Sequence, residues 1–287
     1  KATGSLTIEG NGYTLSRNLV PSDFRILTIN DGVVTIDRLT ISGGDAGPED
    51  GGGIYSSGTL TLTNCTVSGN TAYSSWSASG GGICNRYGTL TLTNCTVSGN
   101  TADWGGGIYN YDGGILTLTN CTVSGNMAGG VGGGICNDDT LTLTNCTVSG
   151  NMAGGVGGGI CNDDTLTLTN CTVSGNMADY GGGIHNQYGT LTLIRNIVSG
   201  NTAANRSEIF REGGSISANA HNVFGHSGLT TAEAFYDFTP GATDVTCTSD
   251  GTRSTALDSI LSPLADNGGP TQTHALVAGG PAIDRDQ

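Results

Sequence analysis

Residues 132–151 read GGGICNDDTLTLTNCTVSGN, and close copies of this stretch recur along the middle of the chain. Each copy begins with three glycines and an isoleucine, and successive isoleucines are 29, 25, 27, 25 and 24 residues apart. Two consecutive segments, 128–152 and 153–177, are identical. Self-similarity with a period of about 20 to 50 residues is typical of repeat architectures, in which each copy forms one structural unit. We therefore expect a solenoid built from these copies.

Apolar and polar residues alternate within each copy. In the first copy, Leu60 and Leu62 fall on one face of a Thr-Leu-Thr-Leu-Thr strand, and the threonines fall on the other. After a corner, Cys65 and Val67 continue the inward positions. Each unit thus holds about three short strands, and the lack of a helical period disfavours solenoids that contain helices. The chain is predicted to be all-β, a single right-handed parallel β-helix with coils of about 25 residues and an irregular C-terminal cap.

One asparagine stands at the same corner of each copy. Asparagine tolerates the left-handed backbone conformation, and its amide can hydrogen-bond to the next copy along a ladder. Each of these asparagines also begins an Asn-Cys-Thr sequon, but a glycan on every coil would conflict with the ladder, so we favour the structural interpretation. The corner residues are Asn64, Asn94, Asn120, Asn145 and Asn170.

The nine cysteines also follow the repeat. One column holds Cys65, Cys95, Cys121, Cys146 and Cys171, a second holds Cys84, Cys136 and Cys161, and Cys247 stands alone. Columns with one cysteine per coil indicate small buried side chains, so we expect free thiols rather than disulfides. No Cys-x-x-Cys pair is present, which disfavours a zinc site.

The repeat divides the chain, which we expect to form one domain over 1–287. Residues 1–50 are predicted to form less regular first coils, 51–201 the regular repeats, and 202–287 a final coil and a C-terminal capping segment. A cap is expected because an exposed last coil would present unpaired backbone groups to other chains.

Composition excludes several classes of partner. The 287 residues carry a formal charge of −14 with only 10 Lys and Arg, so the chain lacks the basic surface that nucleic acid or an anionic membrane requires. No apolar run approaches the roughly 20 residues that span a bilayer, so we expect no membrane insertion. No signal peptide is visible, and we interpret the chain as a mature or excised part of a larger protein.

At this point the sequence resembles bacterial secreted and surface β-helix proteins with polymorphic-outer-membrane-protein-like repeats. The resemblance rests on the GGGI and SGN elements across 51–201, on LADNGGPTQTHAL at 264–276 and on PAID at 281–284. It covers most of the chain and implies an extracellular or cell-surface location. It implies little about activity, because such proteins are functionally heterogeneous.

The scarce aromatic residues lie in the connections between the repeated elements. One set precedes the glycine triplets, and the other follows them, so each set is expected to line one edge of the solenoid. Exposed Trp and Tyr rings stack on sugars, and Arg86, Asp103 and Asn110 are candidate partners for sugar hydroxyls. The alternative is that the rings cover coil corners. The first set is Tyr73, Trp76, Trp104 and Tyr180, and the second is Tyr87, Tyr111 and Tyr188.

These residues predict a non-catalytic carbohydrate-binding module for a neutral polysaccharide such as xylan. A structural adhesin or stalk segment is one alternative, and a polysaccharide hydrolase or lyase is another. A lyase is disfavoured because no Lys or Arg occurs between Arg86 and Arg195 to act as base. We also expect a structural role for His185, which shares a repeat column with Tyr55, Cys84 and Tyr109.

Acidic residues recur after the Ile-Cys-Asn strands. Oxygen ligands gathered at a coil edge are what calcium prefers, so calcium is the candidate cofactor, with a solvated acidic turn as the alternative. A hydrolase pair is disfavoured because identical repeats predict near-identical environments, whereas a catalytic acid and nucleophile need different pKa values. The candidate ligands are Asp112, Asp138, Asp139, Asp163 and Asp164.

Overall fold

The computed structural model describes residues 4–17, 23–73 and 78–283, and most regular structure there is parallel β-strand. Equivalent strands of successive coils pair in direct register, for example Thr89 with Thr59 and Leu90 with Leu60. The coils wind in the right-handed sense that parallel crossovers almost always adopt. The predicted all-β solenoid, a right-handed parallel β-helix, is confirmed.

Four parallel sheets run along the solenoid. The TLT sheet holds nine strands: Ser5–Glu9, Val33–Asp37, Thr59–Thr63, Thr89–Thr93, Ile115–Thr119, Thr140–Thr144, Thr165–Thr169, Thr190–Ile194 and Ser215–Ser217. The TVS sheet holds ten: Thr14–Ser16, Thr40–Ser42, Thr66–Ser68, Thr96–Ser98, Thr122–Ser124, Thr147–Ser149, Thr172–Ser174, Ile197–Val198, Val223–Phe224 and Val245–Thr246.

The other two sheets flank the glycine triplets. The GGGI sheet holds nine strands: Leu27–Ile29, Ile54–Ser56, Ile83–Arg86, Ile108–Tyr111, Ile135–Asn137, Ile160–Asn162, Ile184–Asn186, Ile209–Arg211 and Phe235–Tyr236. The MA sheet holds six: Thr71–Ala72, Thr101–Trp104, Met127–Val131, Met152–Ala153, Met177–Tyr180 and Thr202–Asn205. The MA sheet adds a fourth short strand to a coil for which about three were predicted.

The core is a stack of identical side chains. Leu60 and Leu62 are fully buried, as are their counterparts in the regular coils, while the threonines between them face outward. All nine cysteines are free and buried, as predicted. The backbone N–H of Cys65 lies 3.4 Å from the sulfur of Cys95, so the cysteine column stacks with the coils.

The predicted asparagine ladder is present at the corner between the TLT and TVS sheets. Asn94 has a φ of 53°, and its amide donates to the Oδ1 of Asn64 at 3.2 Å. Each end of the ladder meets the hydrogen-bonding group that it lacks. The Asn64 amide donates to Asp37 at one end, and Asn170 accepts from Arg195 at the other.

A second asparagine ladder, which the sequence did not reveal, is buried beside the MA sheet. The amide of Asn126 donates to Asn151 Oδ1 at 2.9 Å and to the Val97 carbonyl at 3.0 Å, and its own Oδ1 accepts from Asn100. This ladder comprises Asn70, Asn100, Asn126, Asn151, Asn176 and Asn201.

The glycine triplets make room for this ladder and for a sharp bend. Gly105 has a φ of 60°, a conformation that glycine adopts without strain. A Cβ on Gly107 would lie 2.5 Å from the Gly134 carbonyl oxygen and 3.0 Å from the Asn126 amide nitrogen. The triplets are therefore structural elements of the coil.

The last coils are closed by aromatic side chains. Phe224, Phe235 and Phe238 contact one another edge to face, next to a short helix at Thr231–Ala234. A 3-10 turn at Leu257–Ser259 follows.

Only the first part of the predicted capping segment lies at this end. The antiparallel hairpin Leu261–Ala265 with Thr273–Leu276 instead runs back along the TVS sheet, where the Thr122 hydroxyl donates to the Gln272 carbonyl at 2.5 Å. In the described part of the chain, no helix has the length and apolar character needed to cross a membrane.

Candidate functional site

On the side of the GGGI sheet that faces away from the core, each coil places one varied side chain, and we call this series the outer column. Its middle members are covered by neighbouring side chains, and those that are buried are Cys84, Tyr109, Cys136, Cys161 and His185. Its members lie in direct register from strand to strand, so neighbours along the column are neighbours in space. After Thr28 on the first strand, they are in order Tyr55, Cys84, Tyr109, Cys136, Cys161, His185, Phe210 and Tyr236. The predicted shared column of Tyr55, Cys84, Tyr109 and His185 is confirmed.

Tyr109 and four side chains near it form one contact group, the Trp104 cluster. Trp104 meets Tyr109 edge to face with ring centroids 6.3 Å apart, and Tyr109 stacks on Tyr111 at 4.5 Å. The guanidinium of Arg86 then lies 5.2 Å from the Tyr111 ring and 5.1 Å from the Tyr87 ring. The cluster therefore crosses the outer column from the edge before the glycines to the edge after them.

Carboxylates fix the two central tyrosines of this cluster. The Tyr109 hydroxyl donates to Asp138 Oδ2 at 2.5 Å, and the Tyr111 hydroxyl donates to Asp50 Oδ2 at 3.0 Å. Burial raises the pKa of Tyr109 and of Tyr111 above the usual range. Burial also raises the pKa of Asp138, although the Tyr109 hydrogen bond opposes that change. The rings are therefore held in place before any ligand arrives.

Asp50 extends the cluster toward the first coils. Its backbone carbonyl accepts from Arg25 Nε at 2.9 Å, and the Arg25 guanidinium lies 5.1 Å from the Tyr55 ring. A cavity of about 390 Å³ is lined in part by Arg25, Thr28 and Tyr55. Aromatic and guanidinium planes thus continue from Trp104 to the start of the outer column.

A second aromatic group, the Phe210 cluster, lies further along the same column. Phe210 stacks on His185 at 5.1 Å and on Tyr236 at 4.6 Å, and Tyr180 meets it edge to face at 5.5 Å. Arg206 lies 5.7 Å from the Tyr236 ring. Four coil steps separate Tyr109 from Phe210, which corresponds to roughly 19 Å along the axis. We call the two clusters and the column between them the outer face.

The middle of the outer face is less aromatic than its two ends. Val131 and Val156 stand between Trp104 and Tyr180 on the MA sheet, so the predicted first edge is not a continuous aromatic row. They pack against Cys136 and Cys161 in a small apolar cluster outside the main core.

Cys161 and His185 continue this middle section. The pKa of Cys161 is lowered to about 7. A hydrogen bond from Cys136 lowers it most, the neighbouring His185 lowers it further, and burial opposes both. His185 is itself buried, lies 3.4 Å from Glu212 and stacks on Phe210.

The remaining predicted sugar-binding residues are dispersed. Tyr73 and Tyr188 are exposed, and Trp76 lies outside the described residues. Asp103 accepts from the backbone N–H of Ala78 at 3.0 Å. The expectation that Asn110 contacts ligand is wrong, because its amide is buried and donates to Asn137 at 2.9 Å.

Four of the five candidate calcium ligands each have a different partner, and that of Asp138 is Tyr109. Asp112 pairs with Arg86 at 3.0 Å, and Asp139 accepts from the Gly113 N–H at 2.7 Å. Asp164 accepts from the Thr165 hydroxyl, and Asp163 is exposed. Among residues 4–17, 23–73 and 78–283, no three His, Cys, Asp or Glu side chains converge as ligands for a metal ion.

Two concave regions lie under the C-terminal hairpin. Cavities of about 690 Å³ and 520 Å³ flank His274. Its Nδ1–H donates to the Ser262 carbonyl at 2.7 Å, which leaves Nε2 to accept from the Ser149 hydroxyl at 2.9 Å. Ser149 is buried beneath the hairpin, so the pair fastens the tail to the TVS sheet.

Sequence reasoning missed several members of the outer face. Tyr109 was placed in its column but not among the ligand-binding residues, and Phe210, Tyr236 and Asp50 were not singled out. The register of the repeat could have indicated them, because every outer-column residue follows the position that holds isoleucine in the regular coils.

Comparison with known proteins identifies the architecture. A family model described as "Right handed beta helix region" matches residues 24–203. The crystal structure of pectate lyase Pel9A aligns with a TM-score of 0.51 and 13% sequence identity, covering 95% of this chain and 79% of that chain. No curated protein sequence matches this one. At such low identity, the likeness to the pectate lyase concerns the fold alone.

Proposed function

We propose, for a chain that belongs to the right-handed β-helix family, that the outer face binds a neutral polysaccharide without cleaving it. The ligand lies along the solenoid axis and stacks on the Trp104 cluster. A plant cell-wall glycan such as xylan is the proposed class, and the chain serves as a binding module within a larger secreted or cell-surface protein. The similarity to a pectate lyase adds an analogy at the level of the fold only.

The observation that carries this proposal is the unbroken contact from Trp104 through Tyr109 and Tyr111 to Arg86 and Tyr87. At its two ends, Trp104 is 42% exposed and Tyr87 is 63% exposed. Rings held in place lose little conformational entropy when a sugar stacks on them, so less binding energy is lost to ordering. The arginine supplies several donors for sugar oxygens.

Charge favours a neutral ligand over an acidic one. The chain has a formal charge of −14, and Asp50 and Asp138 stand behind the tyrosines of the cluster. Arg86 is already paired with Asp112. A polyuronate would therefore meet repulsion that a neutral xylan or glucan would not.

Affinity electrophoresis against a panel of soluble neutral and acidic polysaccharides tests this function. We expect one neutral glycan to retard the native protein and Trp104→Ala to lose most of that retardation. Tyr13→Ala is the matched control, because Tyr13 is an exposed ring on the first coil, distant from the outer face. No retardation by any glycan, or equal retardation of the Trp104 variant, would sink the proposal.

Binding to cells or proteins that soluble glycan does not compete would instead favour the adhesin or stalk alternative. A competition assay with the same panel distinguishes the two. Secretion is tested separately, by locating the full-length protein in fractionated cells and culture medium.

A glycoside hydrolase is the second candidate, and one observation favours it. Asp138 and Asp163 occupy equivalent positions in identical repeats, yet Asp138 is partly buried against Tyr109 whereas Asp163 is exposed. The neighbouring coil therefore makes the two environments different, contrary to the expectation from the repeat. Carboxylates one coil apart fall near the spacing of a retaining pair, roughly 5 Å.

Release of reducing sugars by native protein, abolished by both Asp138→Asn and Asp163→Asn, would establish the hydrolase. Asp237→Asn is the control, because Asp237 is an exposed carboxylate paired with Arg211 on another coil.

Calcium at the edge formed by Asp112, Asp138, Asp139, Asp163 and Asp164 remains a proposal of its own. A calcium ion that bridges neighbouring coils would raise the melting temperature, and a chelator would reverse the rise. An unchanged melting temperature in both conditions would leave these residues as a solvated acidic edge.

A further inference from the structure

All three methionines of the chain lie in one column on the MA sheet. Met127 pairs in direct register with Met152, and Met152 pairs with Met177. Their exposed fractions are 46%, 44% and 47%, so each side chain reaches solvent. In the flanking coils the same column holds threonine, at Thr101 and Thr202.

Core packing does not account for these side chains. The residues beside them, Ala128, Ala153 and Ala178, fill the interior positions of this sheet, while the methionines point outward. An exposed threonine column would satisfy the sheet equally well, as the flanking coils show. Core packing therefore does not explain why these three positions hold methionine.

The geometry lets three sulfur atoms approach one another. Adjacent strands lie about 4.8 Å apart, so the outer two methionines start roughly 10 Å apart with the third between them. Methionine has three rotatable side-chain bonds, and those of Met127 and Met177 can lean toward Met152. The next outward residue after Met127 is Gly129, where an added Cβ would meet nothing nearer than Asp103 Oδ1 at 3.6 Å, so space remains beside this end of the column.

The donor set selects the type of ion. Thioethers are soft, uncharged ligands that favour Cu(I) over hard cations such as calcium or magnesium. The exposed carboxylate of Asp179 lies two residues after Met177, on the same outward side of the strand, and the chain carries a net charge of −14. Both features attract a cation to a site whose own ligands are neutral.

We propose that Met127, Met152 and Met177 together bind one Cu(I) ion through their three sulfur atoms. The site is separate from the outer face and does not depend on glycan binding. Because thioethers do not protonate in the accessible pH range, the site binds its ion in mildly acid solution, where thiols and imidazoles are protonated.

Methyl-labelled methionine provides a direct test, because the chain yields only three labelled methyl signals. We would titrate the full chain at about pH 5 with Ag(I), a monovalent soft ion that resists redox change, in a chloride-free buffer. All three signals should shift together and stop shifting at one equivalent of Ag(I). Unmoved signals, or three signals that saturate independently, would overturn the proposal.

A matched pair of variants locates the site. Met152→Leu keeps an apolar side chain but removes the central sulfur, and we expect affinity for Ag(I) to fall about tenfold or more. Thr101→Leu introduces the same residue in the same column and should leave affinity unchanged. Equal affinity in native protein and Met152→Leu would show that the thiols, and not the methionines, bind the ion.

Discussion

The interior of the solenoid and its outer face differ in how they vary from coil to coil. Leu90, Leu116 and Leu141 occupy one interior column without change, and the buried asparagines form another. The outer column instead changes at nearly every step, from tyrosine to cysteine, histidine and phenylalanine. Both sets belong to the same coils, so the repeat fixes the residue type at the interior positions but not at the outer-column positions.

Under the proposed function, this difference separates the residues that stabilise the fold from those that bind the ligand. An interior residue contacts identical copies above and below, so a change disturbs two neighbouring coils as well as its own. An outer-column residue contacts whichever residue precedes and follows it, so each step creates a different set of contacts. The Trp104 cluster exists because Tyr109 is flanked by Arg86, Tyr111 and Trp104 rather than by another copy of itself.

The largest expected effect is in the buried asparagine ladder. Asn126→Ala removes hydrogen bonds to Asn151, Val97 and Asn100 and leaves buried donors and acceptors unpaired. At about 1 to 3 kcal/mol for each unpaired buried group, we expect the free energy of unfolding to fall by about 4 kcal/mol or more. Urea unfolding followed by circular dichroism measures the change.

The surface ladder supplies the control for that prediction. Asn145→Ala removes an amide of the same type from the exposed corner, where its 3.2 Å bond to Asn120 competes with water. Water replaces the lost partner, so we expect a loss of about 1 kcal/mol. Equal losses in the two variants would contradict the separation between interior and surface.

A smaller, pH-dependent effect is expected where the buried ladder ends. Glu208 is fully buried and accepts from the Gly200 N–H at 2.9 Å and from the Asn201 amide at 2.7 Å. Burial raises its pKa from 4.5 to about 8. The folded state therefore holds the proton more tightly than the unfolded state, so its stabilising contribution is full below about pH 4.5 and is lost as the pH rises toward 8.

Comparing native protein with Glu208→Gln isolates this contribution. As the pH rises from about 5 to about 7, the free energy of unfolding of the native protein should fall by roughly 2 to 3 kcal/mol more than that of the variant. Urea unfolding at each pH measures both values. The comparison concerns the slope with pH, because the substitution also changes a hydrogen bond. Parallel slopes would mean that the carboxyl group is ionised throughout.

The smallest expected effect concerns the tail. Ser149→Ala removes the hydrogen bond to His274, and we expect about 1 kcal/mol of weaker docking and faster proteolysis within the hairpin. Ser98→Ala changes the same position of the TVS sheet two coils earlier and should leave the cleavage rate unchanged. Equal cleavage rates in native protein and Ser149→Ala would mean that other contacts hold the tail against the TVS sheet.

Much of the fold could be predicted because period and alternation are local properties of the sequence. They correctly indicated the coil, the inward Leu60 and Cys65, the free thiols and the left-handed corner at Asn64. The buried ladder was missed because Asn70 stands in a polar run, and its burial follows from the glycine triplet of the neighbouring strand. A Cβ on Gly53 would lie 2.9 Å from the Asn70 amide.

The site was less predictable because it depends on contacts between different coils. Trp104, Tyr111, Tyr87 and Arg86 were among the candidate residues predicted from the sequence, but Tyr109, which contacts both Trp104 and Tyr111, was not. The unequal environments of Asp138 and Asp163 arise in the same way, because the residue one coil earlier is Tyr109 in the first case and Cys136 in the second.

The dependence of affinity on glycan length tests the central claim that recognition lies along the outer face. Calorimetric titration with neutral oligosaccharides, from disaccharide to hexasaccharide, should show affinity that rises with length as the ligand extends from the Trp104 cluster toward the Phe210 cluster. Trp104→Ala should lower the affinity for the hexasaccharide by about tenfold, because one good ring contact is lost. Affinity that does not change with length, or a Trp104 variant that binds like the native protein, would contradict the account.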